Sequence, residues 1–281
     1  MTARRLRNHL ATAWMVLAML LALVPLGLIL GYVVYKGAGA VSWDFVTQSE
    51  PFSFSEYGGG FWNGIKGTIK LMVLASAIAV PAGLLCAVWL TEYGRGPFAS
   101  LVRFVVDVMT GVPSVFVGVF VYSFLVLQSG HFSAWSGAVA LALLMLPIIV
   151  AGAEAVLRLV PGELREASLA LGVPRWRSVT RVILPTAAPG LVTATMLAVA
   201  RAAGETAPLL FTSFGNRVVT GWTNFNGPDS ALPLLIYRGA RSAYAPAQER
   251  AWAGALVLIS MVLLLTITAR LIASRRGRHA S

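Results

Sequence analysis

The chain has 281 residues, of which 57% are hydrophobic and 12% charged, and its formal net charge is +11. A soluble domain averages about 25% charged residues, so the composition excludes an ordinary soluble fold. So basic a balance on a soluble protein would suggest nucleic acid, but the placement of the charges along the chain excludes that partner.

Runs without Asp, Glu, Lys or Arg recur at the length of about 20 residues that a bilayer-crossing helix needs. The first covers 11–35, behind Arg4, Arg5 and Arg7. It is longer than the about 7–15 residues of a secretory signal core, and no small-x-small cleavage site precedes a clear mature domain, so a retained helix is expected. Residues 36–64 then carry Trp43, Phe45, Phe52, Phe54, Tyr57, Phe61 and Trp62, which read as interfacial anchors or a partner surface. A second helix is expected at 65–91, with Pro81 inside it, because neighbouring helices can satisfy a carbonyl freed in the membrane. The uncharged run 108–153 is too long for one helix and breaks at Gln128-Ser129-Gly130-His131, which gives a third helix at 103–127 and a fourth at 135–157. Arg103 with Asp107, and Glu154 with Arg158, have the four-residue spacing of structural ion pairs on one helix face. The fifth helix is expected at 187–211 and the sixth at 250–272, separated by turn signals at Gly215-Asn216, Gly221 and Gly227-Pro228-Asp229. The fold class is an all-α integral membrane protein with six transmembrane helices, one domain over 1–281.

Six spans put both termini on one side. Fourteen of the 22 Lys and Arg residues fall on that side, seven fall on the other, and Arg201 lies within a span. The positive-inside rule then places both termini, Arg278 and the basic tail included, in the cytoplasm. The basic bias is topological. Cys86 is the lone cysteine and reads as a small packing residue. His9, His131 and His279 are too dispersed for a metal site, so none is expected.

Between Pro161 and Pro185 lies a polar island on the cytoplasmic side. Pro161 or Gly162 can open a helix, where a missing N–H is tolerated, and Glu163 and Glu166 complement the dipole of its first turns. Gly172 reads as the left-handed stop and Pro174 prevents continuation. A second amphipathic helix is expected to follow, with Trp176, Val179 and Ile183 opposite Arg175, Arg177 and Arg181. One reading is an interfacial helix lying among lipid headgroups. The other is an element that something outside the membrane grips, which would account for Gly172 and Pro174 at these spacings.

The pattern Glu166-Ala167-Ser168, Gly172, then Leu184-Pro185 resembles the cytoplasmic EAA loop of bacterial ABC-importer permeases. Ser168 stands where that pattern has its second Ala, and Val182 where it has Ile. The resemblance implies a type I permease with a coupling-helix loop at 161–185, in which Glu166, Ala167, Ser168, Gly172, Leu184 and Pro185 dock an ATPase subunit. The chain itself has no Gly-x4-Gly-Lys-Ser/Thr frame around Lys36, Lys66 or Lys70, its only lysines. No cofactor is expected on this chain, and ATP would be bound by a partner subunit; the chain is expected to be a transporter subunit and not an enzyme.

Arg201 and Glu205 are charges inside the fifth span, four residues apart. Each would cost about 2.5–3.5 kcal/mol at the centre of a membrane, so such groups face a bundle interior or a wet cavity. A guanidinium there offers a planar fork to an oxyanion, with Glu205 moderating the attraction so that the ion can leave. Equally, the two charges could neutralise each other or bridge to a sister subunit. The stretch from Arg201 through Gly204-Glu205-Thr206-Ala207-Pro208, with Ala231-Leu232-Pro233 and Ala251-Trp252-Ala253, looks like the phosphate-specific ABC-importer permeases of the PstA type, over about 60–273. That resemblance implies transport of inorganic phosphate across the bacterial inner membrane. It also implies a homologous permease subunit, two ATPase subunits and an extracytoplasmic phosphate-binding protein as partners, besides membrane lipid. Alternatives are a permease for sulfate or molybdate, or a stand-alone secondary transporter.

Overall fold

The computed structural model describes residues 2–277, with side chains from 5 to 273; Arg278 and His279 lie outside the described residues. Every regular element among these is helical. Helix α1 (Thr2–Gly37) is followed by a short α2 (Trp43–Thr47), whose N-cap Ser42 accepts from the Phe45 amide at 3.1 Å. Next comes α3 (Trp62–Val88), prolonged by a wide π turn at Trp89–Tyr93. The third span is split into α4 (Gly96–Gly111) and α5 (Ser114–Val121), the latter running on through a π turn into α6 (Leu127–Ser129). Then follow α7 (Ala134–Arg158), α8 (Gly162–Ala170), α9 (Arg175–Ser178) and α10 (Leu184–Ala203). The chain closes with α11 (Ala207–Thr212), α12 (Leu232–Ala240) and α13 (Ala245–Gly277).

Five of these helical stretches are long and apolar enough to cross a membrane, and the bent pair α4 with α5–α6 makes up to six. The expected straight helix at 103–127 is corrected here. It starts earlier, at Gly96, and turns through 103° between Gly111 and Ser114. Pro113 is the cause: it pushes Val112 out of the α region, and both residues are extended (ψ 126 and 137). The expected fifth helix is also interrupted, between Ala203 and Ala207. A continuous helix would set the ring of Pro208 against the carbonyl of Gly204, so the chain breaks there.

The bundle is centred on α3, α7 and α10. Leu71, Met72, Ala75 and Ala79 of α3 meet Ala138, Leu141, Met145 and Ile149 of α7, with Ala198 and Ala202 of α10 closing the cluster. The spacings repeat every three or four residues, one face of each helix. In lipid the drive to pack is not water exclusion but close contact, and the small alanines allow it. Gly67 shows how close: a Cβ there would lie 1.9 Å from the Ser230 carbonyl oxygen. By contrast, α1 is exposed from residue 5 to residue 32 and leans on α13 at its far end, where Val33 and Gly37 are buried and Tyr32 meets Trp252 edge to face at 5.2 Å.

Contacts define two ends. At one, residues 38–61 meet 214–250: Glu50 lies 3.2 Å from Arg238 and 3.7 Å from Arg217, and Arg250 donates to the carbonyls of Glu56, Gly58 and Phe54. The aromatic segment divides there. Phe45 and Phe61 are buried against each other, while Trp43, Phe52 and Tyr57 are exposed. The opposite end carries α8. There the expected Arg103–Asp107 contact gives way to a link between helices: Arg103 reaches Glu154 at 2.8 Å, which also receives Arg158 at 2.6 Å. Cys86, half-buried beside Leu90 and Val150, packs as expected.

Candidate functional site

The polar island folds as its turn chemistry dictates. Pro161 is the N-cap of α8 and Glu163 lies in its first turn. At the other end the Gly172 amide bonds the Leu169 carbonyl at 2.9 Å and the Val173 amide bonds that of Ser168 at 3.1 Å. That pair of bonds is a Schellman stop, which needs a left-handed residue, and Gly172 has φ +74. The second charged helix differs from expectation. It does not stand alone: α9, a π turn at Val179–Ile183 and α10 form one helical run from Arg175 to Ala203. Pro185 has no N–H for the helix ladder, and the wide turn directly before it absorbs the mismatch. Val179 and Ile183 are buried against Ala153, Leu157 and Val160. Trp176, expected beside them, is exposed and lies under the Arg177 guanidinium at 5.2 Å.

The predicted docking residues divide by side. Glu166, Ala167 and Gly172 are exposed, with Leu169 and Leu171 52% and 82% exposed next to them. Ser168 is turned inward, and its hydroxyl meets that of Ser178 at 2.5 Å, which ties α8 to α9. Leu184 is turned partly into the bundle against the cluster of Ala87, Ala153 and Leu157, and Pro185 is exposed at the start of α10. Sequence spacing therefore grouped six residues of which three form the outer surface of the loop.

Two residues of this end escaped the sequence reading. Arg165 of α8 donates from Nε to Glu92 Oε1 at 3.0 Å, from Nη1 to the Val160 carbonyl at 2.7 Å and from Nη2 to the Leu157 carbonyl at 2.8 Å. The Glu92 side chain is only 3% exposed. No local spacing pairs them. The one available sign was a carboxylate closing an otherwise uncharged run, since a buried carboxylate requires a donor.

Within the bundle, Arg201 and Glu205 do come together, with Nε 3.8 Å from Oε1. That is a loose pair. Glu205 sits past the end of α10, in the break before α11, and its side chain is 19% exposed against 60% for Arg201. Arg201 continues an outward face of α10 that includes Pro189, Thr193 and Leu197. The Thr212 carbonyl accepts from the Ser133 amide at the end remote from α8, while Arg201 lies in the last turn of α10, just before the break that leads into α11. A guanidinium in the last turn of an apolar span, left uncovered by its own chain, requires water or a neighbouring protein against it.

Apolar spans crossing one another through small residues, with a short exposed helix wired to their ends, are the build of a membrane transport permease. A family model described as the inner membrane component of binding-protein-dependent transport systems matches residues 79–278, and the chain belongs to that family. Its relatives within that family include PstA permeases. The phosphate transport system permease protein PstA of Yersinia pestis is 41% identical over 274 residues, covering 97% of this chain and 92% of its own. PstA of Mycobacterium leprae is 39% identical over 279 residues, covering 97% and 91%. Among solved structures, a bacterial alginate ABC transporter with its pentasaccharide-bound periplasmic protein matches with TM-score 0.60 at 17% identity, over 95% of both chains. An inward-facing MetNI methionine ABC transporter matches with TM-score 0.56 at 21% identity, over 78% of this chain and 94% of its own. These two likenesses establish the ABC-importer permease fold.

Proposed function

We propose that the chain is a membrane subunit of an ATP-driven importer that carries inorganic phosphate across the bacterial plasma membrane. The PstA relatives support the substrate. The observation in the molecule that carries the reading is Arg201, an exposed guanidinium in the last turn of an apolar span, only loosely paired with Glu205. A tight ion pair would be spent on itself, whereas a guanidinium with a partner 3.8 Å away keeps donors for a passing oxyanion. Arg201 and Glu205 are proposed to line the path, Arg201 receiving phosphate and Glu205 limiting how long it stays.

The remaining parts follow from what the chain leaves uncovered. The outer face of α8, with Glu166, Ala167, Leu169 and Leu171, is proposed to dock an ATPase subunit, since the chain has no nucleotide loop of its own. The outward face of α10 around Arg201 is proposed to meet a homologous permease. The ends joined by Glu50, Arg217 and Arg238 would receive a phosphate-binding protein outside the membrane. Two ATPase subunits would complete the assembly, and the charge bias supports cytoplasmic termini.

The test is uptake of labelled phosphate into vesicles holding the complete complex, with and without this chain. Uptake should require the chain, require internal or external ATP on the side of α8, and be competed by unlabelled phosphate but not by sulfate or molybdate. Accumulation of sulfate or molybdate in place of phosphate would overturn the substrate.

A further inference from the structure

Helix α8 touches the bundle through few polar contacts, and one residue makes most of them. The Arg165 guanidinium spreads over three acceptors on two different elements: Glu92 in the π turn that ends the α3 span, Leu157 in the last turn of α7, and Val160 just beyond it. Those are the two central helices of the core. From Glu92 the connection continues. The neighbouring Leu90 carbonyl accepts from Arg103 Nη2 at 2.8 Å, and Arg103 returns to α7 through Glu154.

We propose that Arg165 is the positioning residue that couples the docking helix to the transport path, pulling α3 and α7 whenever α8 is displaced. The proposal rests on the function given above. A planar fork engaged with three acceptors resists both sliding and rotation in a way a single hydrogen bond cannot. Glu92 is the fixed point of this link, because a carboxylate 3% exposed has no water to turn to if Arg165 leaves. The Ser168–Ser178 hydroxyl contact holds the other side of α8 to the run that leads into α10. Thus α8 cannot shift without moving the ends of three spans, while its outward residues remain free for a partner. A simple helix cap would also satisfy the carbonyls of Leu157 and Val160. It would not need Glu92, and its loss would weaken the fold without changing how hydrolysis is linked to transport.

The experiment reads that link directly. Complete complexes carrying Arg165→Gln, Glu92→Gln or Arg165→Lys are placed in vesicles with the binding protein, and phosphate taken up is divided by ATP hydrolysed. Both Gln variants should assemble and hydrolyse ATP, with phosphate moved per ATP lowered about five-fold or more, the lower range of a coupling effect. Arg165→Lys keeps the charge without the fork and should recover only part of the ratio. An assembled complex of either Gln variant with the wild-type ratio overturns the proposal. If Arg165→Gln fails to assemble, Glu92→Gln decides alone, since it keeps the size and one acceptor oxygen. Failure of both to assemble would make the pair a folding contact and equally overturn it. The wild-type chain reports separately on the proposed function: no phosphate uptake by it overturns that reading, while stimulation of hydrolysis by the binding protein still reports on Arg165.

Discussion

Lys70 Nζ lies 2.7 Å from Asp229 Oδ2, with the two side chains 3% and 5% exposed. Lys70 also donates to the carbonyls of Gly221 and Asn224 and lies over the Phe225 ring at 5.4 Å. Two of its three ammonium protons serve those carbonyls, and the third is left for Asp229 Oδ2. Together with Lys66, which donates to the Thr220 carbonyl at 2.6 Å, Lys70 gathers the loop 220–229 over the end of the bundle remote from α8. Phe225 and Gly227 of that loop in turn accept from the Trp135 and Ala134 amides at the start of α7, where a helix has unpaired N–H groups.

Lys70→Met should leave Asp229 buried without a counter-ion and destabilise the chain by about 3–5 kcal/mol. Thermal unfolding of the purified complex in detergent measures it. Lys70→Met with Asp229→Leu should recover much of the loss, because no lone charge remains. A single variant melting with the wild type would show that Asp229 finds water there.

Gly172→Val should damage the loop and spare the bundle. A Cβ at Gly172 meets nothing within 4 Å, so the penalty is the left-handed backbone itself, at φ +74. That strain is about 1–3 kcal/mol for an ordinary residue, and Gly172→Asn should suffer least because Asn tolerates this region. Crosslinking of α8 to the ATPase, with ATP hydrolysis stimulated by the binding protein, should fall for Val and persist for Asn. Equal behaviour of both variants would count against the turn as the cause.

Leu171→Asp adds a carboxylate to a residue that is 82% exposed and touches no core. Folding should change by no more than about 0.5 kcal/mol, yet copurification of the ATPase should drop if this face docks it. Full recovery of ATPase with the variant would move the docking surface elsewhere.

Arg201→Ala should abolish phosphate uptake while the complex still assembles. Arg201→Lys should impair uptake as well, since an ammonium does not reproduce the bidentate fork. The decisive variant is Arg201→Ala with Glu205→Gln. Two charges that merely neutralise each other can be removed together, and uptake would return; a pathway arginine predicts that the double variant stays inactive. Restored uptake would make the 3.8 Å contact structural.

What the amino-acid order determined by itself is local. Uncharged runs located the spans, because crossing lipid is a demand on consecutive residues. Gly172 and Pro174 set the stop of α8, because positive φ and a missing N–H are properties of single residues. Prolines at 113 and 208 carried the breaks of the third and fifth spans equally locally, yet a membrane helix also tolerates proline, as at Pro81 and Pro147. Whether the chain bends depends on which neighbours can satisfy the freed groups. The tertiary structure alone decided the partners. Arg103 had Asp107 one turn away and takes Glu154 from another helix; Arg165 and Lys70 find Glu92 and Asp229, which no spacing connects to them. A long side chain reaches whatever the crossing of two helices places within its radius, and that crossing is set by contacts such as Leu71 and Met72 against Leu141 and Met145, spread over the whole core.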